Sequence, residues 1–137
     1  MKISKDFRWE MGHRLPFHKG KCKNLHGHSY KLRLEFTGKS DENGMVIDYY
    51  EIKKLVSPLI EKLDHSFLVC KNDKELVRVL DELNSRYILI DSETTAENIC
   101  LYLLNEMKGL GFPSNVSKIK ARLYETESAY AEDEIDL

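Results

Sequence analysis

The sequence predicts an α+β fold, an antiparallel β-sheet with helices packed on one face. Two segments, residues 2–13 and 28–37, alternate polar and apolar side chains with the period of a strand. Two others, residues 52–63 and 96–107, repeat apolar residues at helical spacing. The order strand–strand–helix, a variable middle, then helix–strand runs without repeat, linker or low-complexity segment. Residues 1–137 therefore read as a single domain.

In the first strand Ile3, Phe7, Trp9, Met11 and His13 share one parity, and Lys2, Ser4, Asp6, Arg8 and Glu10 share the other. Only Lys5 breaks the pattern. Residues 14–25 form a basic loop with Pro16 and Gly20. The second strand carries Tyr30, Leu32, Leu34 and Phe36 on one face and Lys31, Arg33 and Glu35 on the other. Asn43-Gly44 marks a turn. Asp48 is a good N-cap, with Glu51 three residues on, as in a capping box. Pro58 falls inside the helix that follows and predicts a kink or a split, because it lacks an N–H and crowds the preceding turn. Residues 73–84 suit a short helix and 87–90 a short strand. A further helix runs from Thr94 or Thr95 to Lys108, with Gly109 ending it. Residues 116–126 make the last strand, and the acidic tail after Tyr130 reads as frayed.

Composition excludes several classes. Hydrophobic residues make up 42% and charged residues 32% of the chain, with a net charge of −2. That is ordinary for a soluble domain and unlike a nucleic-acid binder. No apolar run approaches the roughly 18 residues of a membrane span, and residues 1–10 lack a signal-peptide core. Three widely spaced cysteines, Cys22, Cys70 and Cys100, do not form a disulfide framework, so a reducing cytoplasm is expected.

The chemistry-bearing residues cluster by parity. His26 and His28 are two apart on a strand and project from the same face. That face is the apolar one, in register with Tyr30 and Leu32. His13 likewise shares the apolar parity of its strand. If the two strands pair antiparallel, all three imidazoles converge on the sheet's inner side. Three imidazoles without an obvious fourth protein ligand describe a catalytic zinc site with an open position, although three imidazoles also suit iron or another divalent ion. The alternative is scattered core or surface histidines.

Cys22 lies four residues before His26, among Lys19, Lys21 and Lys23. It is either a fourth ligand or an unligated thiolate base, since positive charge and a nearby metal both lower a thiol pKa. The same lysines could draw in a phosphate-bearing substrate. Cys100 falls on an apolar helix face. Asp64-His65 follows the first helix and reads alone as a dipole-stabilised histidine beside a carboxylate. His18 has no partner by spacing. Glu125 shares the parity of Ile119, Ala121 and Leu123 and is predicted to point inward, where a carboxylate needs a partner. Such a group can hold the N–H groups of a heterocycle.

His13, Cys22-Lys23-Asn24-Leu25-His26-Gly27-His28, Leu63-Asp64-His65, Thr94-Thr95-Ala96-Glu97-Asn98 and Tyr124-Glu125-Thr126 follow in this order. Together they resemble the 6-pyruvoyltetrahydropterin synthase family, which includes the 6-carboxytetrahydropterin synthases of queuosine biosynthesis. The resemblance spans nearly the whole chain. It implies a tunnelling fold, in which sheets of several subunits close into a barrel with helices outside, typically a homohexamer of two trimers with sites between subunits. It implies Zn2+ on His13, His26 and His28, Cys22 as general base, and Asp64 and His65 as its relay. It also implies Glu125 as anchor of the pterin ring, helped by Thr94 and Thr95. The implied substrate is 7,8-dihydroneopterin triphosphate, and the implied product 6-carboxytetrahydropterin. The three-residue spacing between Cys22 and His26 resembles the carboxy branch, whereas Thr94 resembles the pyruvoyl branch, and Pro58 departs from the usual uninterrupted helix. A different class is a non-catalytic zinc or pterin-binding protein in which Cys22 ligates the metal.

Overall fold

The computed structural model describes all 137 residues. Strand β1 (Lys2–His13) pairs antiparallel with β2 (His26–Gly38) along its whole length. The chain continues through helix α1 (Tyr49–Leu63), strand β3 (Ser66–Cys70), helix α2 (Lys74–Glu82), strand β4 (Tyr87–Ile90) and helix α3 (Ala96–Met107). It closes with β5 (Val116–Tyr124) and β6 (Tyr130–Asp136). The six strands form one sheet in the order β4-β3-β1-β2-β5-β6.

Alternation explains the core. The apolar parities of β1, β2 and β5 bring Trp9, Met11, Tyr30, Leu32, Leu34, Phe36, Ile119, Ala121 and Leu123 to one face, all buried. Against them pack Ile52, Val56, Leu59, Ile60 and Leu63 of α1 and Ile99, Leu103, Leu104 and Met107 of α3. The two helices start where their caps dictate. Asp48 accepts from the Tyr50 N–H, and Thr95 accepts from the Asn98 N–H.

The structure corrects four expectations. The sheet is mixed rather than antiparallel throughout, because β3 runs parallel to β1 and β4 parallel to β3. Strand β3 escapes a period-two search because it reads Ser-Phe-Leu-Val-Cys, a short apolar run buried on both sides. Helix α2 supplies its second cover. Leu76 and Leu80 pack on Val69 in a separate cluster, so α2 lies on the face opposite to α1 and α3. The acidic tail is not frayed. It forms β6, with Glu132 and Glu134 opposite the basic parity of β5 and ion pairs to Lys118, Lys120 and Arg122. Finally, α1 is not split at Pro58 but continues as one helix, because the apolar stripe on either side of it is buried while Pro58 faces solvent. The turn after α3 places its left-handed glycine at Gly111 rather than Gly109.

The exposed proline makes no packing contribution to offset the hydrogen bond it denies α1. Pro58→Ala should therefore stabilise the protein by roughly 1–2 kcal/mol, less than the full interior cost because alanine also loosens the unfolded chain. Urea denaturation monitored by circular dichroism would check this.

Candidate metal centre

The pairing of β1 with β2 sets His13 directly opposite His26 and Met11 opposite His28. The ring centroids of His13, His26 and His28 lie 4.6 to 5.2 Å apart. One ring nitrogen of each lies within 4.8 Å of the others. Gly27 sits between the two histidines of β2 on the opposite face, where an added Cβ would come 3.1 Å from the Met11 carbonyl oxygen.

Two of the imidazoles are held from behind. His13 Nδ1 donates to the Thr94 carbonyl at 2.8 Å and lies 3.1 Å from Thr94 Oγ1, which itself donates to the Arg14 carbonyl. His26 Nδ1 donates to the Asn24 carbonyl at 2.7 Å. With Nδ1 carrying the proton, Nε2 of each ring is left with a free lone pair. Both Nε2 atoms are buried and have no hydrogen-bond partner. Burial lowers the His13 pKa to about 4, with the neighbouring histidines adding to the effect. Burial also lowers the His28 pKa. Neutral imidazoles with orphaned, convergent lone pairs are a donor set that fits a divalent metal such as zinc.

Glu125 lies just past the end of β5, and its Oε1 is 3.6 Å from both His13 Nε2 and His28 Nε2. Beneath the cluster, Tyr30 stacks on Trp9 at 5.5 Å. The Tyr30 hydroxyl is buried without a partner, and desolvation together with Glu125 pushes its pKa far up.

Cys22 lies half-buried in a short 3-10 turn (Lys21–Lys23) and is not among the convergent donor atoms. The loop is closed by the Leu15 N–H on the Cys22 carbonyl at 2.8 Å. Cys100 is buried in the core, where desolvation raises its pKa to about 11. His18 is exposed and accepts only from the Gly20 N–H.

Thr94 is brought beside the histidine cluster and Thr95 follows it at the start of α3, but their hydroxyls are already engaged. Thr94 is buried against His13, and Thr95 caps α3. The alternation of strands and helices did not reveal Thr94 as the support of His13, because the two are 81 residues apart and meet only through packing.

Asp64 and His65 stand elsewhere. Asp64 accepts from the Glu10 N–H and holds His65 Nδ1 at 2.9 Å, which with the hydrogen bonds lowers its carboxyl pKa. His65 is exposed and has a left-handed φ of 56°. With Glu10, Gly12, Gly27, Ser29 and Phe67 it lines an open pocket of about 360 Å³ on the polar side of the sheet. The three imidazoles follow the opposite strand parity, while His28 itself also borders this pocket, and no hydrogen bond joins Cys22 to His65 within the chain.

Residues 2–135 match the 6-pyruvoyl tetrahydropterin synthase family. The chain is 36% identical to the 6-carboxy-5,6,7,8-tetrahydropterin synthase of Haemophilus influenzae, with 96% of both chains covered. It is also 36% identical to the enzyme of that name from Aquifex aeolicus, again over 96% of both chains. Its fold is similar to a catalytic-residue mutant of Plasmodium vivax 6-pyruvoyltetrahydropterin synthase, with a TM-score of 0.80 and 21% identity over 100% of this chain and 98% of that one. The Caenorhabditis elegans 6-pyruvoyl tetrahydropterin synthase gives a TM-score of 0.70 at 22% identity, over 97% of this chain and 94% of that one.

Two outcomes follow from this geometry. Thr94→Val, which keeps the carbonyl but removes the hydroxyl, should weaken Zn2+ binding about tenfold in chelator competition. His65→Gly should leave the fold intact and raise its stability by up to about 1 kcal/mol, because glycine relieves the left-handed backbone. Thermal denaturation would test the second, and a clear loss of stability would refute it.

Proposed function

The chain belongs to the 6-pyruvoyl tetrahydropterin synthase family, and from that membership we propose that it converts 7,8-dihydroneopterin triphosphate to 6-carboxy-5,6,7,8-tetrahydropterin, releasing triphosphate and acetaldehyde. The observation that carries this reading is the convergence of three imidazoles, His13 buried and His26 and His28 half-buried, with the Glu125 carboxylate 3.6 Å from His13 and His28. The near full-length relatives named for the carboxy product favour it over 6-pyruvoyltetrahydropterin. The structures named for the pyruvoyl enzymes are near 20% identical and speak to fold alone.

His13, His26 and His28 would hold Zn2+. Bound there, the ion would polarise the hydroxyls of the substrate side chain and acidify the adjoining C–H bonds. Glu125 would accept the N–H groups of the pterin ring and so fix the ring beside the metal. The Thr94-Thr95 segment would meet the ring through its backbone, since both hydroxyls are engaged. Cys22 would move protons as a base, a role that suits its place outside the ligand set better than ligation does. Lys19, Lys21 and Lys23 would draw the triphosphate toward the loop.

Asp64 and His65 would relay protons to a cysteine. Their position across the sheet from the metal makes a neighbouring subunit the natural source of that cysteine. The strand edges support such an assembly. Strand β1 uses one edge on β2 and is met by β3 only at Met11 and Gly12 on the other, while β6 ends the sheet. Two open edges in an otherwise antiparallel β1-β2-β5-β6 block suit closure into a barrel of several copies, as in a trimer and a hexamer of two trimers. No helix is long and apolar enough to cross a membrane, and we place the enzyme in the cytoplasm, feeding queuosine synthesis.

Anaerobic incubation of the zinc-loaded protein with 7,8-dihydroneopterin triphosphate, read by mass spectrometry, should yield 6-carboxytetrahydropterin and acetaldehyde. 6-Pyruvoyltetrahydropterin without acetaldehyde would assign the sibling reaction instead. Cys22→Ala should retain a full complement of Zn2+ while turnover falls at least about a hundredfold. Loss of metal in that variant would make Cys22 a ligand and point to a non-catalytic zinc site.

A further inference from the structure

Strands β1 and β3 run parallel, with Met11 opposite Ser66 and Gly12 opposite Phe67, so the chain leaves both in the same direction. Just past them, Arg14 meets Asp73. The guanidinium donates from Nε to Asp73 Oδ2 at 2.8 Å and from Nη2 to Asp73 Oδ1 at 2.6 Å. Such a two-bond fork fixes orientation as well as distance. The Asp73 side chain is 8% exposed, and no other carboxylate paired with an arginine or lysine is as buried. Asp73 also accepts from the Leu76 N–H as the cap of α2, so the helix holds it in turn. The peptide that joins Arg14 to Leu15 has both polar groups engaged. Its C=O accepts from Thr94 Oγ1 at 3.3 Å, the hydroxyl that lies 3.1 Å from His13 Nδ1. Its N–H donates to the Cys22 carbonyl at 2.8 Å. One planar unit therefore spans the support of His13 and the turn that carries Cys22. Residues 16–23 make no hydrogen bond or ion pair beyond residues 15–24.

We infer that Arg14 and Asp73 are positioning residues for Cys22. Their ion pair immobilises the Arg14–Leu15 peptide, and that peptide holds the Cys22 backbone at a fixed place relative to His13. Two short charge-assisted bonds dominate here, since each is roughly twice as strong as a neutral bond such as the one from Thr94. Without them the peptide keeps only its link to His13 and that single longer bond. The loop would then swing about its start, and Cys22 would move with it. A displacement of about 1 Å in a reacting group can cost roughly a hundredfold in rate. The arrangement also gives α2 a part in the site, although that helix lies on the face of the sheet away from the core. The role of Cys22 as a base is the one proposed above, and the positioning of its thiol rests on that role only for its effect on turnover.

Alkylation by iodoacetamide under native conditions reads Cys22, because Cys70 and Cys100 are buried while Cys22 is half-buried. Arg14→Gln removes the fork. Asp73→Asn removes the charge but keeps a residue that caps α2 well. In the zinc-loaded protein, well below its melting temperature, each variant should alkylate at Cys22 about tenfold faster, as the loop opens more often. Turnover should fall at least about tenfold while Zn2+ content stays at the wild-type level. The double variant should match the worse single variant, because the two residues act as one pair. Wild-type alkylation in both variants, with only the melting temperature lowered, would overturn the inference and leave the pair a structural one. Loss of Zn2+ in both would overturn it too, since the pair would then serve His13 rather than Cys22. Faster alkylation with turnover unchanged would uphold the positioning of Cys22 and overturn its role as the base.

Discussion

The antiparallel register of β1 on β2 carries the rest of the molecule. It pairs His13 with His26 and Trp9 with Tyr30, so the rings that face a metal and the rings that fill the core come from the same alternation. A slip of one residue would send every one of these side chains to the opposite face. The histidines would then meet solvent, and the charged parity of Lys31, Arg33 and Glu35 would meet α1 and α3. The core fixes the register because the buried set, from Trp9 to Phe36, is far larger than the site it positions.

That register alone does not finish the site. An imidazole on a strand can still rotate, and either nitrogen can carry the proton. Here two carbonyls decide the matter, Thr94 behind His13 and Asn24 behind His26. Each comes from a different part of the chain, one at the start of α3 and one in the basic loop. Both leave Nε2 buried and unpaired. Unpaired buried nitrogens cost free energy, which a ligand that accepts their lone pairs recovers. The start of α3 thus both supports a candidate ligand and, through the Thr95 cap, begins the helix that covers the sheet.

The two faces of the sheet have different tasks. One holds the core and the histidines. The other carries cross-strand ion pairs and, at its end, the Asp64-His65 pair. A single chain therefore presents two separated parts of a proposed catalytic set and open strand edges. The open edges and the separated parts of the site are the two features on which the proposed multi-copy assembly rests.

Much of this was legible in the sequence, because period-two alternation is a local property. It identified β1, β2 and β5, the inward parity of all three histidines and the parity of Glu125, and caps located α1 and α3. The resemblance of the motif series to a pterin synthase family added what alternation cannot supply, a reaction. What stayed hidden depended on partners distant in the chain. β3 is apolar on both faces because α2 covers the side away from the core. β6 becomes a strand because Lys118, Lys120 and Arg122 lie opposite its carboxylates. Thr94 supports a histidine because packing closes a gap of 81 residues. The sequence by itself determined which side chains face inward, since that follows from backbone geometry one residue at a time. Only the tertiary structure decided which of them meet and which nitrogen each imidazole offers, since those depend on contacts that form when separate elements pack.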